Sequence, residues 1–86
     1  MQQFTYTIKD PDGVHARPAG ALIRTIAPFK SAISLEANGR TINLKGGIFA
    51  LMGLGIKCGT EIKLTVEGID EDDATNTLKI ALAEYM

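Results

Sequence analysis

Apolar and polar residues alternate along four short segments of the chain, which is the period of strands that bury one face. These segments are Phe4 to Ile8, Ala32 to Ala37, Arg40 to Leu44 and Glu61 to Glu67. The dipeptide Asn38-Gly39 lies between the second and the third. It is a strong hairpin signal, because a type I′ turn needs positive φ at both central residues. The pattern therefore predicts a sheet with one covered face and one wet face.

Two longer segments carry apolar residues at spacings of three and four, which indicates amphipathic helices. The first runs from about Ala16 to Ala27 and ends before Pro28, which disfavours helical backbone in the preceding residue. The second begins at Asp70, the predicted N-cap, and its acidic first turn suits the positive helix N-terminus. The predicted buried positions are Ala19, Leu22, Ile23 and Ile26, then Ala74, Leu78, Ala81, Leu82 and Tyr85.

A third, very short helical turn is predicted at Ile48–Met52, five consecutive apolar residues closed by Gly53. A helix of this length cannot bury all five, so some must face water or a partner. Completion of the core by Phe49 and Leu51 is the alternative for those two side chains. The preceding Lys45-Gly46-Gly47 is expected to form a flexible break.

The elements follow the order strand, helix, strand, strand, helix, strand, helix. Because each strand has one wet face, the helices must lie together on the other face of the sheet. We therefore expect an α+β fold, an open-faced β-sandwich that forms a single domain over residues 1–86. A chain of 86 residues with 45% hydrophobic and 22% charged residues suits one globular domain.

Composition also narrows the cellular setting. No apolar run approaches the ~20 residues of a membrane span, and the first residues lack the basic and apolar regions of a secretory signal. Cys58 is the only cysteine and cannot form an internal disulfide, so we expect a cytoplasmic protein with an ordinary turn thiol. Nucleic-acid binding is not expected, because the net charge is −1 and the chain has no tryptophan.

The small net charge hides an asymmetry between the two halves of the chain. Residues 13–58 carry six basic residues against one acid, whereas residues 59–86 carry seven acids against two basic residues. The basic half suits an anionic ligand or an acidic protein partner. The acidic run at 70–73 is interpreted as a helix-start device, and no metal site or cofactor is predicted.

The stretch Gly13-Val14-His15-Ala16-Arg17-Pro18-Ala19-Gly20 is the strongest candidate for chemistry. His15, the only histidine, stands before the apolar stripe of the first helix, and Pro18 is tolerated in a first turn. Unpaired N–H groups at a helix start attract anions, and Arg17 adds a positive charge. A plain capping or surface histidine is the alternative. The combination predicts a site that accepts and holds a phosphoryl group.

The segment Gly13 to Ala19 closely resembles the active-site signature of the HPr family, the histidine-containing phosphocarriers of the sugar phosphotransferase system. The resemblance extends over the whole chain, including its length, the order of elements, Asn38-Gly39, Leu54-Gly55 and the acidic start of the last helix. It implies a four-stranded antiparallel sheet with three helices on one face. It also implies a monomeric carrier that takes a phosphoryl group from phosphorylated enzyme I and passes it to enzyme IIA.

The same resemblance assigns roles to residues of this chain. His15 is the expected acceptor, bonding phosphorus through Nδ1, and the N–H groups of Ala16 and Arg17 are expected to hold the phosphate oxygens. The implied partner-binding residues are Ala16, Arg17, Gly20, Arg24, Ile48, Phe49, Leu51 and Met52. Gly20 is either a site of close partner approach or a tolerated small residue, and Arg24 is either a docking residue or a solvated charge. A regulatory module that acts by docking alone is the alternative function.

Two departures from the family pattern concern charge and regulation. Asp12 stands where the family usually has Asn or Ser, and a carboxylate there should repel a phosphorylated histidine. The loop after Lys45 is one residue longer and carries Gly46-Gly47 where the family commonly has a regulatory serine. The only two serines, Ser31 and Ser34, fall at or in the second predicted strand. We therefore expect serine regulation to be absent.

Overall fold

A computed structural model describes residues 1–13 and 15–86; Val14 of the candidate motif lies outside the described residues. The elements follow the predicted order. They are β1 (Gln2–Thr7), α1 (Ala16–Ile26), β2 (Ala32–Ala37), β3 (Arg40–Asn43), a 3₁₀ turn (Leu44–Gly46), α2 (Ile48–Met52), β4 (Glu61–Glu67) and α3 (Glu71–Tyr85). Within the described residues, no helix has both the length and the apolar character needed to cross a membrane.

The four strands form one antiparallel sheet in the order β1-β4-β2-β3. The register places Leu64 of the central strand β4 between Phe4 of β1 and Leu35 of β2. Lys63, one residue earlier, lies between Thr5 and Glu36 on the opposite face. The predicted alternation is therefore confirmed, with an apolar inner face and a polar open face, and the fold is the expected open-faced β-sandwich.

Helices α1 and α3 pack against each other and close the inner face. The predicted stripe of α1 is confirmed at Ala19, Leu22 and Ile26, which are fully buried, whereas Ile23 is only half-buried. The α3 stripe is buried from Ala74 to Leu82, as predicted, with Tyr85 half-buried. At the hairpin, Asn38 has φ 51° and Gly39 has φ 78°, the positive values that the type I′ turn requires.

One local expectation was wrong, and another was confirmed in its position but not in its bonding. The segment at Lys45 is part of the 3₁₀ turn, because the Asn43 side chain accepts a hydrogen bond from the Lys45 N–H at 3.0 Å. Asp70 does occupy the N-cap position of α3, but its side chain makes no capping hydrogen bond. The Asp70 carboxylate instead accepts hydrogen bonds from the N–H groups of Lys30 and Ser31 and from the Ser31 hydroxyl. It therefore ties the start of α3 to the start of β2.

Candidate functional site

His15 occupies the N-cap position of α1 and has extended backbone, with φ −131° and ψ 166°. Its carbonyl accepts the Ala19 N–H at 3.1 Å, which is the first hydrogen bond of the helix. The imidazole makes no capping hydrogen bond to the helix, and 46% of the side chain is exposed. The ring is therefore held at a helix start while its chemistry remains available to a partner.

The residues after His15 provide the donors of an anion site. Ala16 and Arg17 lie in the first turn, where helix geometry leaves N–H groups without an acceptor in the helix. Pro18 has no N–H at all, so it leaves no further donor unpaired. All three precede Ala19, whose N–H makes the first hydrogen bond of the helix. The Arg17 side chain is exposed. Two backbone donors and one guanidinium can therefore approach an anion bound at His15.

The loop before His15 is fixed by distant parts of the chain. The Lys9 and Asp10 N–H groups both donate to the Met86 carbonyl at 2.8 Å. Gly13 is buried with φ +70°, and a Cβ added there would lie 2.7 Å from the Ile56 carbonyl oxygen. The C-terminal end of α3 and the segment before β4 thus set the path of this loop. Glycine is required at position 13 both by its backbone angle and by this close approach.

Sequence reasoning missed one residue of the site, Asp10. Its Oδ2 lies 3.4 Å from Nε2 of His15, and its Oδ1 accepts the Asp12 N–H at 2.9 Å. The Asp12 N–H and the His15 ring together lower the pKa of the Asp10 carboxyl from its usual value. The sequence Asp10-Pro11-Asp12-Gly13 signals only a turn, so nothing in it shows which carboxylate faces the imidazole.

The Asp12 carboxylate also lies near the ring, as the charge argument expected. Asp10, Asp12 and His15 each offer one ligand atom, and these three atoms lie within 4.8 Å of one another. They are the residues of the described chain best placed to hold a divalent cation. Their spacing also means that a phosphoryl group on His15 would have two carboxylates in its vicinity.

The predicted docking residues are brought together, with one exception. Ala16, Arg17 and Arg24 are exposed along α1, and Phe49 and Met52 are 89% and 38% exposed on α2. Leu51, by contrast, is only 1% exposed and belongs to the core, so its predicted docking role was wrong. The reason is helical geometry: in so short a helix the side chain that faces the sheet is fully buried. The alternative that Phe49 completes the core was wrong as well.

Gly20 lies where α1 and α2 approach each other. A Cβ added at Gly20 would lie 3.8 Å from Cδ1 of Ile48 and 3.3 Å from Nη1 of Arg24. Ile48 is half-buried in this position. The two helices therefore form one continuous surface, which we call the α1–α2 patch; it comprises Ala16, Arg17, Gly20, Arg24, Ile48, Phe49 and Met52.

The other residues singled out by sequence lie outside this patch. Cys58 is exposed in a turn, with its Sγ 3.8 Å from the Lys9 carbonyl oxygen. Ser31 is fully buried and its hydroxyl is bound to Asp70, while Ser34 is half-buried in β2. Gly47 is the N-cap residue of α2 with φ 116° and offers no side chain for capping.

Comparison with known proteins gives a consistent result. A family model described as the PTS HPr component phosphorylation site matches residues 2–84. The phosphocarrier protein HPr of Lysinibacillus sphaericus is 43% identical over 84 residues, which span 98% of this chain and 94% of that protein. The structure of the histidine-containing phosphocarrier protein from Mycoplasma has a TM-score of 0.91 at 37% identity, covering 96% of this chain and 93% of that one. The Bacillus subtilis catabolite repression protein Crh, described as a domain-swapped dimer, has a TM-score of 0.75 at 32% identity, covering 100% and 98%.

Proposed function

Because the chain belongs to the HPr family, we propose that it is a phosphocarrier of the sugar phosphotransferase system whose acceptor is His15. It takes the phosphoryl group from phosphorylated enzyme I and passes it to enzyme IIA in the cytoplasm. It is a carrier between two partners rather than a stand-alone catalyst. The observation that carries this proposal is an exposed imidazole at the N-cap of α1, next to Arg17 and to the first-turn N–H groups of Ala16 and Arg17.

The neutral imidazole supplies the lone pair that attacks phosphorus, which histidine can do near neutral pH. Nδ1 forms the new bond to phosphorus. The bond between phosphorus and the donor breaks, and its electron pair stays on the donor. The N–H groups of Ala16 and Arg17 receive the phosphoryl oxygens, and the helix dipole adds about 0.3–1 kcal/mol. Such modest stabilisation suits a carrier, because a phosphoryl group bound too tightly would not be passed on.

The α1–α2 patch is the proposed docking surface for both partners. It combines the guanidinium groups of Arg17 and Arg24 with exposed apolar side chains of Phe49 and Met52. An apolar centre with charged surroundings is the usual composition of a transient interface. One surface that surrounds the acceptor serves two partners in turn, so the carrier must leave the first before it meets the second.

Incubation with enzyme I and phosphoenolpyruvate tests the proposal. We expect one acid-labile phosphate on the wild-type protein, located on His15 by mass spectrometry, and its loss when enzyme IIA is added. His15→Ala should take up no label and keep its circular dichroism spectrum and melting temperature, because the ring is exposed and caps nothing. Label on the His15→Ala variant would place the acceptor elsewhere and contradict the proposal.

A regulatory docking module is the second candidate, favoured by the similarity to Crh, which is described as a catabolite repression protein. A pure docking module would bind partners through the α1–α2 patch whether or not His15 carried phosphate. The same experiment separates the two functions, because a docking module would not pass label from phosphoenolpyruvate to enzyme IIA.

A further inference from the structure

The Asp10 carboxylate is held in a fixed place beside the His15 ring. One oxygen, Oδ1, accepts the Asp12 N–H at 2.9 Å, and the Asp10 N–H donates to the Met86 carbonyl at 2.8 Å. The Gly13 N–H closes the turn by donating to the Asp10 carbonyl at 2.9 Å. These contacts leave the second oxygen, Oδ2, directed at Nε2 of His15 at 3.4 Å. The carboxylate is therefore positioned by the fold and not by the imidazole alone.

We propose that Asp10 is a positioning residue that holds the neutral His15 ring with its proton on Nε2 and its lone pair on Nδ1. This inference rests on the proposed function of His15 as the acceptor. An ionised carboxylate can only accept hydrogen bonds, so the ring nitrogen that faces it must donate. In a neutral imidazole the other nitrogen then carries the lone pair. The hydrogen bond thus selects the attacking atom and fixes the ring plane.

The charge of Asp10 supports this role. Donation by the Asp12 N–H, more than any other contact, lowers the pKa of the carboxyl, and the His15 ring lowers it further. Asp10 is therefore ionised at neutral pH. Protonation of Asp10 does not compete with its role as an acceptor.

The phosphoryl step balances with this arrangement. The Nδ1–P bond forms as the donor's bond to phosphorus breaks, and the Nε2 proton stays in place. The imidazole ring then carries a positive charge, which lies against the Asp10 carboxylate while the phosphoryl group is bound on the opposite nitrogen. Asp10 thus offsets the charge that develops on the ring, whereas Asp12 is not bonded to the ring and contributes only negative charge.

The ¹⁵N chemical shifts of the His15 ring test the proposal on the unphosphorylated protein, at a pH well above the value of about 6.5 for free imidazole. We expect the wild type to be almost entirely protonated on Nε2. Asp10→Ala should shift the ring toward the mixture of the free side chain. Asp10→Asn should favour the opposite tautomer, because its amide oxygen keeps the Asp12 N–H and its NH₂ group then faces Nε2 as a donor. Asp12→Asn, which keeps the Asp12 N–H, is the matched control and should leave the tautomer unchanged.

Phosphorylation kinetics provide the second readout. The rate constant for uptake from phosphorylated enzyme I should fall about fivefold in Asp10→Ala, the effect of one exposed charged contact, and should fall further in Asp10→Asn, whose ring carries its proton on Nδ1. Circular dichroism checks that each variant is folded. Equal tautomer populations in wild type and Asp10→Ala would overturn the proposal. Failure of the wild type to take up phosphate would contradict the proposed function alone, because the tautomer is measured before any phosphoryl transfer.

Discussion

At the scale of single residues, the site depends on how charges are distributed around one imidazole. Two carboxylates, Asp10 and Asp12, approach His15 from the preceding loop, and Arg17 lies on the helix that follows. The two carboxylates have different tasks because they are bonded differently. Asp10 contacts the ring nitrogen, while Asp12 contributes its backbone N–H to Asp10. Removal of each charge should therefore have a distinct effect.

Asp12→Asn should make the phosphorylated protein form faster and persist longer. The change removes a negative charge from the vicinity of a phosphoryl group that carries about −1.5 to −2, an effect of roughly 1 kcal/mol, or about fivefold, at low salt. Phosphorylation rates and hydrolysis lifetimes measured at low and high salt check it, since salt screens the repulsion. Equal rates and lifetimes at low salt would show that the Asp12 charge does not reach the phosphoryl group.

At the scale of elements, the start of α1 is positioned by its connections as much as by its own sequence. The loop from Ile8 to Gly13 runs between the C-terminal end of α3 and the segment before β4. Gly59 donates its N–H to the Ile8 carbonyl at 2.8 Å, so both sides of this loop are bonded. Any residue that pushes the loop outward should disturb His15 without touching it.

Gly13→Ala tests this connection. The new Cβ would meet the Ile56 carbonyl oxygen at 2.7 Å in a backbone with φ +70°, so we expect a loss of about 1–3 kcal/mol in unfolding free energy. Gly39→Ala is the matched control, because it has a similar φ of +78° with nothing within 4 Å of the added Cβ. It should lose only ~1 kcal/mol and keep its rate of phosphorylation. Gly13→Ala should lose stability and also be phosphorylated more slowly. Urea unfolding and phosphate uptake measure the two effects, and identical behaviour of the two variants would contradict the argument.

The junction of α3 with β2 should make stability depend on acid pH. Donation by the Ser31 hydroxyl, and then by the Lys30 and Ser31 N–H groups, lowers the pKa of Asp70 below its ordinary 3.8. A carboxyl with a lowered pKa in the folded state contributes stability above its unfolded pKa and loses it as the pH falls through the folded value. The difference in unfolding free energy between wild type and Asp70→Asn should therefore be largest at neutral pH and shrink below about pH 4.

Asp73→Asn is the control for that measurement, because Asp73 is an exposed acid in the same first turn of α3. Its effect on urea unfolding should be small at neutral pH, since an exposed charge near a helix start contributes little. A difference between wild type and Asp70→Asn that stays constant from pH 7 to pH 3 would show that the charge of Asp70 is not what stabilises the junction.

At the scale of the whole molecule, charge is divided along the chain between a basic stretch, residues 13–58, and an acidic stretch, residues 59–86. Residues 13–58 include the α1–α2 patch and carry all but three of the nine basic residues. Under the proposed function, an acidic partner would be attracted to the guanidinium groups of the α1–α2 patch. Phosphorylation of a serine at the edge of this patch would oppose such docking by adding about two negative charges.

We expect this protein to lack that form of regulation. Gly46 and Gly47 have no hydroxyl, Ser31 is fully buried with its hydroxyl bound to Asp70, and Ser34 is half-buried in β2. Incubation with ATP and a serine kinase that acts on the family should leave no acid-resistant phosphate, as measured by mass spectrometry. Gly46→Ser is the matched comparison, because it adds a hydroxyl to this loop. The added Cβ would lie 3.9 Å from the Asn43 Cβ, an ordinary contact. A stable phosphate on either serine of the wild type would refute the expectation.

The sequence by itself predicted each strand and α-helix in its order and singled out His15 as the candidate acceptor. Alternation and helical spacing reflect which side chains face water. A strand or helix with one buried face therefore shows its structural period in the order of its apolar and polar residues. Asn38-Gly39 predicted its turn because few other residues adopt positive φ. The His15 motif was also readable, because the imidazole, the helix-start N–H groups and Arg17 come from adjacent residues.

Only the tertiary structure decided which groups face each other across long separations in the chain. Asp10 lies against His15 because residue 86 and the segment 56–59 fix its loop. Asp70 binds Ser31, 39 residues away, instead of capping its own helix. Leu51 points into the core and Phe49 outward because the sheet lies on one side of α2. Periodicity shows which face of a segment is buried but not which residues lie against that face. Those neighbours are set by packing between elements that are distant in the sequence.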